Sequence, residues 1–567
     1  MSVSSRHSSP DNAKLQRGQA CFNCRRRKRV CLRPPIFFYV LMVYEKCDGL
    51  LPCGQCTRLG AEDACEYTDP TKRPTVDILQ EHIDELQTRI YQLERPRPGS
   101  SHSRHSSASS HVVDSSSSSP RGRGGSTGNL PRLTLPNDPP SAVIADLVDT
   151  FLIYGTEFGF FLNASRFREG ALRPLPFGDF SRPTPALLSA VYLWAIRLST
   201  ANSPMHSPAS SSSSGSSGHM LLPRPHPDEA AYLARALSLT SKGLFSAHPH
   251  RVLHTLQAEI LLAYYFYMNE RIVEAKYHAA AAVSLSLSSG LHQIRSVDNT
   301  LPPPIDRFQQ GEYVRAWWAV FVLDACFAVG LLEPLGINIA AVDTPWPLDG
   351  DEYALDASSQ TITAFLSGHD SLITGSSTTA LVAKAALLYQ KADELSRTST
   401  GPTRELQQLY ALVDAFRNAL PSPTTLARPP TPTSTRELVV AHSLAHAAAV
   451  RIHGLYALTD PSAKITRLAA ARSVLGIIAA VPMKHLRWIN PIMASVWVSA
   501  SRVFLEEIAS VQARYQGAAT LSEEEVNLRT FLVRAGPPLR AFERNCLLMH
   551  TQLGQTLEAF TRAGVNI

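Results

Sequence analysis

The sequence predicts two unlike parts: a short, basic, cysteine-rich N-terminal region and a large all-α domain that fills most of the chain. Three observations predict this. Seven of the nine cysteines fall within the 45 residues from Cys21 to Cys65. Residues 1–75 hold 13 Lys/Arg against 7 Asp/Glu, a net +6 that equals the charge of the whole chain, so the other 492 residues balance to zero. From about residue 141 onward apolar residues recur at three- and four-residue spacing and strand-like alternation is scarce, which is the mark of helices packed on one another. At 567 residues the chain is also too long for a single core.

In chain order, residues 1–19 read as a disordered polar tail with no apolar leader segment, so secretion is not expected. The cysteine cluster occupies 20–67. "TDPTKRP" opens a proline-bearing linker, 68–75. In 76–94, Val76, Ile83 and Ile90 repeat at one heptad position and Leu79, Leu86 and Leu93 at the other. β-Branched residues at a with leucine at d favour a parallel two-stranded coiled coil. This segment is therefore read as a dimerisation helix, with an amphipathic helix packed on its own domain as the alternative.

Residues 95–140 are rich in Ser, Gly, Pro and Arg. They hold too few large apolar side chains to offset chain entropy and read as a disordered linker. The helical region spans 141–567, with inserted loops expected at 201–228 and 421–436. Paired helices are expected in 254–292, broken at Asn269 and Glu270 and ended by Gly290, and a buried helix in 312–332. Further helical segments are expected at 380–396, 403–420, 437–457, 463–480, 488–514 and 522–561. The remaining cysteines, Cys326 and Cys546, sit alone in apolar stretches and read as buried and inert. The longest apolar run, Ile36–Tyr44, is half of what a membrane helix needs, so no membrane partner is expected.

Clustered cysteines in a chain with no secretory leader point to metal rather than disulfides. The candidate ligands are Cys21, Cys24, Cys47, Cys53, Cys56 and Cys65. Cys21/Cys24 and Cys53/Cys56 have the C-x2-C spacing that lets one tight turn offer two thiolates to one zinc. With "CFNCRRRKR" in its first half and "CDGLLPCGQC" in its second, the region resembles the zinc binuclear cluster (Zn2Cys6) family of fungal transcription factors. That resemblance implies two Zn2+ ions bridged by Cys21 and Cys53. One would be completed by Cys24 and Cys47, the other by Cys56 and Cys65. It further implies a nuclear transcription factor that binds double-stranded DNA at CGG-type half-sites. Lys28 would be the residue facing guanine O6 and N7, the neighbouring Arg25, Arg26, Arg27 and Arg29 would hold phosphates, and Lys46 would belong to the same DNA-binding set. The coil at 76–94 stands where the family places its dimerisation element, so a homodimer is implied.

The cluster departs from the family pattern at one place. Cys24 and Cys47 are separated by 22 residues where the family has six. Removing the 16 residues Val30–Glu45 gives "CFNCRRRKRKCDGLLPCGQC" and restores that spacing. Every valine codon begins GT and one glutamate codon ends AG, so the block has the form of a short unspliced intron. The rival is a genuine insertion, in which Cys31, also six residues past Cys24, replaces Cys47 as third ligand.

"LVDTFLIYGTEFGFFLNASRF" (147–167), the paired helices of 254–292 and "EYVRAWWAVFVLDACF" resemble the fungal-specific transcription factor domain, the family's middle homology region. The last block carries Arg315, Trp317, Trp318, Leu323 and Asp324. The resemblance is good over 147–350 and only helical beyond. Together these readings give a small zinc-organised DNA-binding domain plus a short coiled coil, followed by a large all-α regulatory domain that works with the transcription machinery or co-regulators. No phosphate-binding Gly loop, His-Glu-x-x-His or Gly-x-Ser-x-Gly is present, and no enzyme is expected. The alternatives are a dimerising regulator that has lost DNA binding through the block, and a helical-domain enzyme carrying a zinc targeting module.

Overall fold

The computed structural model describes Thr57 and residues 138–565, apart from 201–225, 227, 296–300, 349–360, 369–371, 373–376, 400–402, 423–430, 483–485, 516–520 and 545. All but Thr57 belong to one unit, Thr127–Ile567. The six expected zinc ligands, Cys31, the basic run, the heptad segment and the linkers up to residue 137 lie outside the described residues.

The described residues form fifteen α-helices and no strand. In order these are α1 Ser141–Leu152, α2 Ala164–Ala171, α3 Pro185–Thr200, α4 Glu229–Thr240, α5 Arg251–Met268, α6 Ile272–Ser288, α7 Arg307–Gly330 and α8 Ile362–Leu366. They continue as α9 Thr378–Thr398, α10 Arg404–Ala419, α11 Pro432–Gly454, α12 Pro461–Ala480, α13 Met493–Arg514, α14 Glu523–Glu543 and α15 Leu547–Arg562. α5 packs on α6, α9 on α11 and α11 on α12, while α7 lies against α5, α6 and α9. One continuous core results. α7 is long and apolar enough to cross a bilayer, yet 78% of its most apolar stretch is buried in the domain, as expected of a core helix.

Short polar side chains set the helix starts. Asn163, Asp306, Ser377, Thr403, Thr431 and Ser522 each accept the backbone N–H three residues on, satisfying a donor the helix itself leaves open. The expected break between α5 and α6 is present: Glu270 takes φ 56° and turns the chain. Gly290 ends the second helix at φ 75°, a conformation that crowds Cβ against the following carbonyl. Gly290→Ala is expected to cost about 1–2 kcal/mol, read as a lower urea midpoint at unchanged slope. An unchanged midpoint would show that the turn readjusts.

Four boundaries differ from expectation. The loop expected at 421–436 ends earlier, because Thr431 caps α11 and Pro432 occupies its first turn, where a missing N–H costs nothing. The segment 522–561 is two helices, with Cys546 in extended conformation before α15. In 488–514 the helix starts only at Met493. The linker expected to be disordered to 140 is ordered at its end: Asp138 accepts from Arg182 Nη1 at 2.6 Å, and Arg182 is buried. Cys326 and Cys546 are buried as expected, and burial pushes their thiols up to about 12 and about 11.

Candidate functional site

The Arg-x-Trp-Trp block of α7 ties three parts of the domain together. Arg315 Nε donates to the Phe161 carbonyl at 3.1 Å. Trp317 and Trp318 are fully buried. Trp318 Nε1 donates to the Pro345 carbonyl at 2.7 Å, and its ring stacks on Trp346 with centroids 4.1 Å apart. Asp324 accepts from the N–H groups of Gly336 and Ile337 at 2.9 and 3.1 Å. Burial raises its carboxyl to about 6, against the pull of those two donors. Core packing is thus the role of both tryptophans, with one face of the block turned to a cavity.

That cavity, about 410 Å3, lies between the 156–164 segment, α7, α9, α11 and the turn at Asn490. Gly159 shapes its rim: at φ 75° a Cβ would meet Ile260 Cγ2 at 2.7 Å. Gln257 holds the same segment, accepting from Phe161 N at 2.8 Å and donating to the Gly159 carbonyl at 3.0 Å. Glu157 sits among the lining residues in a buried ion pair: its Oε1 accepts from Arg436 Nε at 2.9 Å and its Oε2 from Asn490 N at 3.2 Å. Burial raises the Glu157 carboxyl to about 7, opposed by the Arg436 charge. Glu437, the next residue of α11, accepts from the hydroxyls of Thr378 and Thr379.

A second cleft, about 450 Å3, gathers Arg166, Glu169, Arg173, Arg182, His250, His254, Asp306 and Glu312. These groups are engaged with the protein. Arg166 pairs with Asp306 through two bonds of 3.1 and 2.6 Å, Arg173 with Glu169 at 3.0 Å, and Glu312 accepts from Asn163 N at 2.9 Å. His254 Nδ1 accepts from Thr184 N at 3.2 Å, and burial holds this imidazole well below its usual range. The cleft is a set of structural pairs rather than a nucleophile with its base. Among the described residues no three His, Cys, Asp or Glu side chains are grouped to hold a metal.

Residues 161–459 match the fungal specific transcription factor domain. The match covers more than half of the chain. The protein belongs to that family. No curated protein and no solved structure matches it. The match begins fourteen residues inside the stretch judged from the sequence to resemble the family (161 against 147) and runs 109 residues further (459 against 350). It therefore takes in α9 and α11, which the sequence reading had classed only as helices. The family is one of transcription-regulatory domains and not of enzymes. Membership makes the protein a transcription regulator, of a family that works in general with DNA and the transcription machinery in the nucleus.

Within the described residues, the fold brings together a set that the sequence reading did not single out: Glu157, Tyr264, Arg436, Glu437 and Asn490. Arg436 fell in a segment read as loop. Glu157 and Arg436 are 279 positions apart, so no local pattern pairs them. The one legible sign is an arginine and a glutamate placed side by side at the head of the apolar run Leu438–Ala441.

Proposed function

We propose that this protein is a zinc-dependent, sequence-specific DNA-binding transcription factor of RNA polymerase II-type genes, reading CGG half-sites as a homodimer. The family match over 161–459 carries this reading. The six-cysteine motif and basic run lie in the same chain, in the order of a binuclear cluster. The donor set suits zinc: six thiolates are soft ligands, and no histidine is interleaved among them. Cys21, Cys24, Cys47, Cys53, Cys56 and Cys65 would hold two Zn2+, which supply the folding energy of a segment too small for its own core. Six thiolates and two zinc ions leave a charge of −2, which the run from Arg25 to Arg29 offsets. Lys28 donates to guanine in the major groove, and the neighbouring arginines and Lys46 hold phosphates. The heptads from Val76 to Leu93 pair two chains, and the linker 68–75 helps to set the spacing of the half-sites.

The test is base readout by the full chain lacking Val30–Glu45, titrated on duplexes with and without CGG. Lys28→Ala is expected to relax the CGG preference by about 1–3 kcal/mol, whereas Arg26→Ala weakens all sequences alike and lowers the salt slope by about one. Equal losses from Lys28→Ala on CGG and scrambled DNA would remove Lys28 from the reader role. Absence of any CGG preference would remove the half-site assignment. One observation favours a second reading, a dimerising regulator without DNA binding: the 22-residue spacing between Cys24 and Cys47 in the chain as written.

A further inference from the structure

The cavity beside Trp318 has the chemistry of a ligand site. Its apolar wall is formed by Phe161, Trp318, Val322, Val382 and Val440. At about 410 Å3 it lies in the size range of sites that enclose small organic molecules. Its polar groups converge at one end. The Tyr264 side chain is 1% exposed, and its hydroxyl accepts from Asn490 Nδ2 at 3.4 Å. The phenol proton has no acceptor among the described residues, although a buried hydroxyl ordinarily finds one. Beside it, each Glu157 oxygen accepts one hydrogen bond, and a carboxylate oxygen has room for two. The formal charges around the cavity cancel: Glu157 and Glu437 stand against Arg315, which also lines it, and Arg436, which is paired with Glu157.

We propose that this cavity binds an uncharged amphipathic small molecule, with a ring-sized apolar body against Trp318 and a hydroxyl or carboxamide head between Tyr264 and Glu157. Such a head accepts from the phenol and donates to the carboxyl, which neither an anion nor an ammonium does. A net charge would enter a wall already balanced and lose its water without compensation. The walls come from the 156–164 segment, α7, α9, α11 and the Asn490 turn, so an occupant links segments far apart in the chain and stabilises the folded domain by mass action. The site is independent of the DNA-binding reading. Its test uses neither zinc nor DNA, so either can fail without the other.

The test is calorimetric and thermal titration of the full chain with naphthalenemethanol, and with naphthoate and naphthalenemethylammonium as charged counterparts of equal size. The alcohol is expected to bind once per chain and raise Tm, with both ions at least about tenfold weaker. Ala319→Trp, which fills the cavity from α7, is expected to abolish binding with helical content unchanged. Tyr264→Phe is expected to weaken binding about fivefold, the loss of one net hydrogen bond. Three results would overturn the proposal: no saturable binding of the alcohol up to about 1 mM, an ion that binds as well as the alcohol, or undiminished binding by folded Ala319→Trp. If Ala319→Trp does not fold, Tyr264→Phe decides, and an unchanged affinity overturns the proposal.

Discussion

Full-length chain lacking Val30–Glu45 is expected to carry two Zn2+, and Cys47→Ser in that background to release metal and abolish CGG binding. The expected effect is the largest in the molecule. Structural zinc contributes about 10–16 kcal/mol to folding modules of this size, and a segment of this length is too short to be held by apolar burial alone. Serine keeps the size of the side chain and removes the soft thiolate that zinc prefers. In the undeleted chain, Cys31→Ser is expected to leave zinc content as it was, because Cys31 is not followed by the Asp-Gly-x-x-Pro sequence that stands between Cys47 and Cys53. Zinc counted by native mass spectrometry, with DNA binding measured beside it, checks both. One zinc or none in the deleted chain would sink the binuclear reading. Zinc lost on Cys31→Ser but kept on Cys47→Ser would make the block a working part. A transcript joining the codons of Arg29 and Lys46 would establish the splice directly.

Arg436→Met is expected to destabilise the helical domain by about 3–5 kcal/mol above about pH 8, the cost of leaving a buried charge without its partner. Arg436 is 1% exposed and Glu157 3%. The guanidinium also donates from Nη2 to the Ile153 carbonyl at 2.7 Å, so the same change leaves a backbone acceptor open. The loss should depend on pH. Burial raises the Glu157 carboxyl in the folded protein to about 7, from an ordinary value of 4.5. Its proton-linked stabilisation is therefore fully present below the unfolded value and is lost as pH rises through about 7. Removing Arg436 raises that carboxyl further, so the variant suffers most above about pH 7 and least in mild acid, where Glu157 is neutral in both proteins. Urea midpoints at about pH 6 and pH 8.5 give the comparison. Adding Glu157→Gln should recover part of the loss at the higher pH, since no charge then remains buried. A loss under about 1 kcal/mol, or one of equal size at both pH values, would show that the pair is not what holds this junction.

The two predictions rest on different kinds of information. The first needs only spacing. Cysteine pairs separated by two residues, a basic run and an Asp-Gly-x-x-Pro sequence span a few residues each, and metal ligation is local chemistry, so a ligand set can be proposed from spacing alone. The same holds for most helix ends. Asp306, Thr403 and Ser522 cap helices through a donor three residues away, and Gly290 ends one through its own backbone angle. Where a local sign has two meanings, the reading erred. Proline in "RPPTPTSTR" signals a loop, yet Pro432 fits a helix's first turn. No glycine or proline announces the break before Cys546.

The second prediction needed the tertiary structure. Composition showed that the helical region is charge-balanced, but not that one arginine of a presumed loop is buried against a glutamate 279 residues away. Nor did any pattern place Tyr264, Trp318 and Asn490 around one cavity. Hydrophobic spacing specifies which face of each helix is buried, because that depends on neighbours three and four residues along. Which helices those faces meet, and which polar side chains are enclosed between them, depends on the packing of the whole domain. In this protein, therefore, the sequence by itself determined most of the helices, while the ion pair and the cavity were decided only by how the 156–164 segment, α7, α9 and α11 come together.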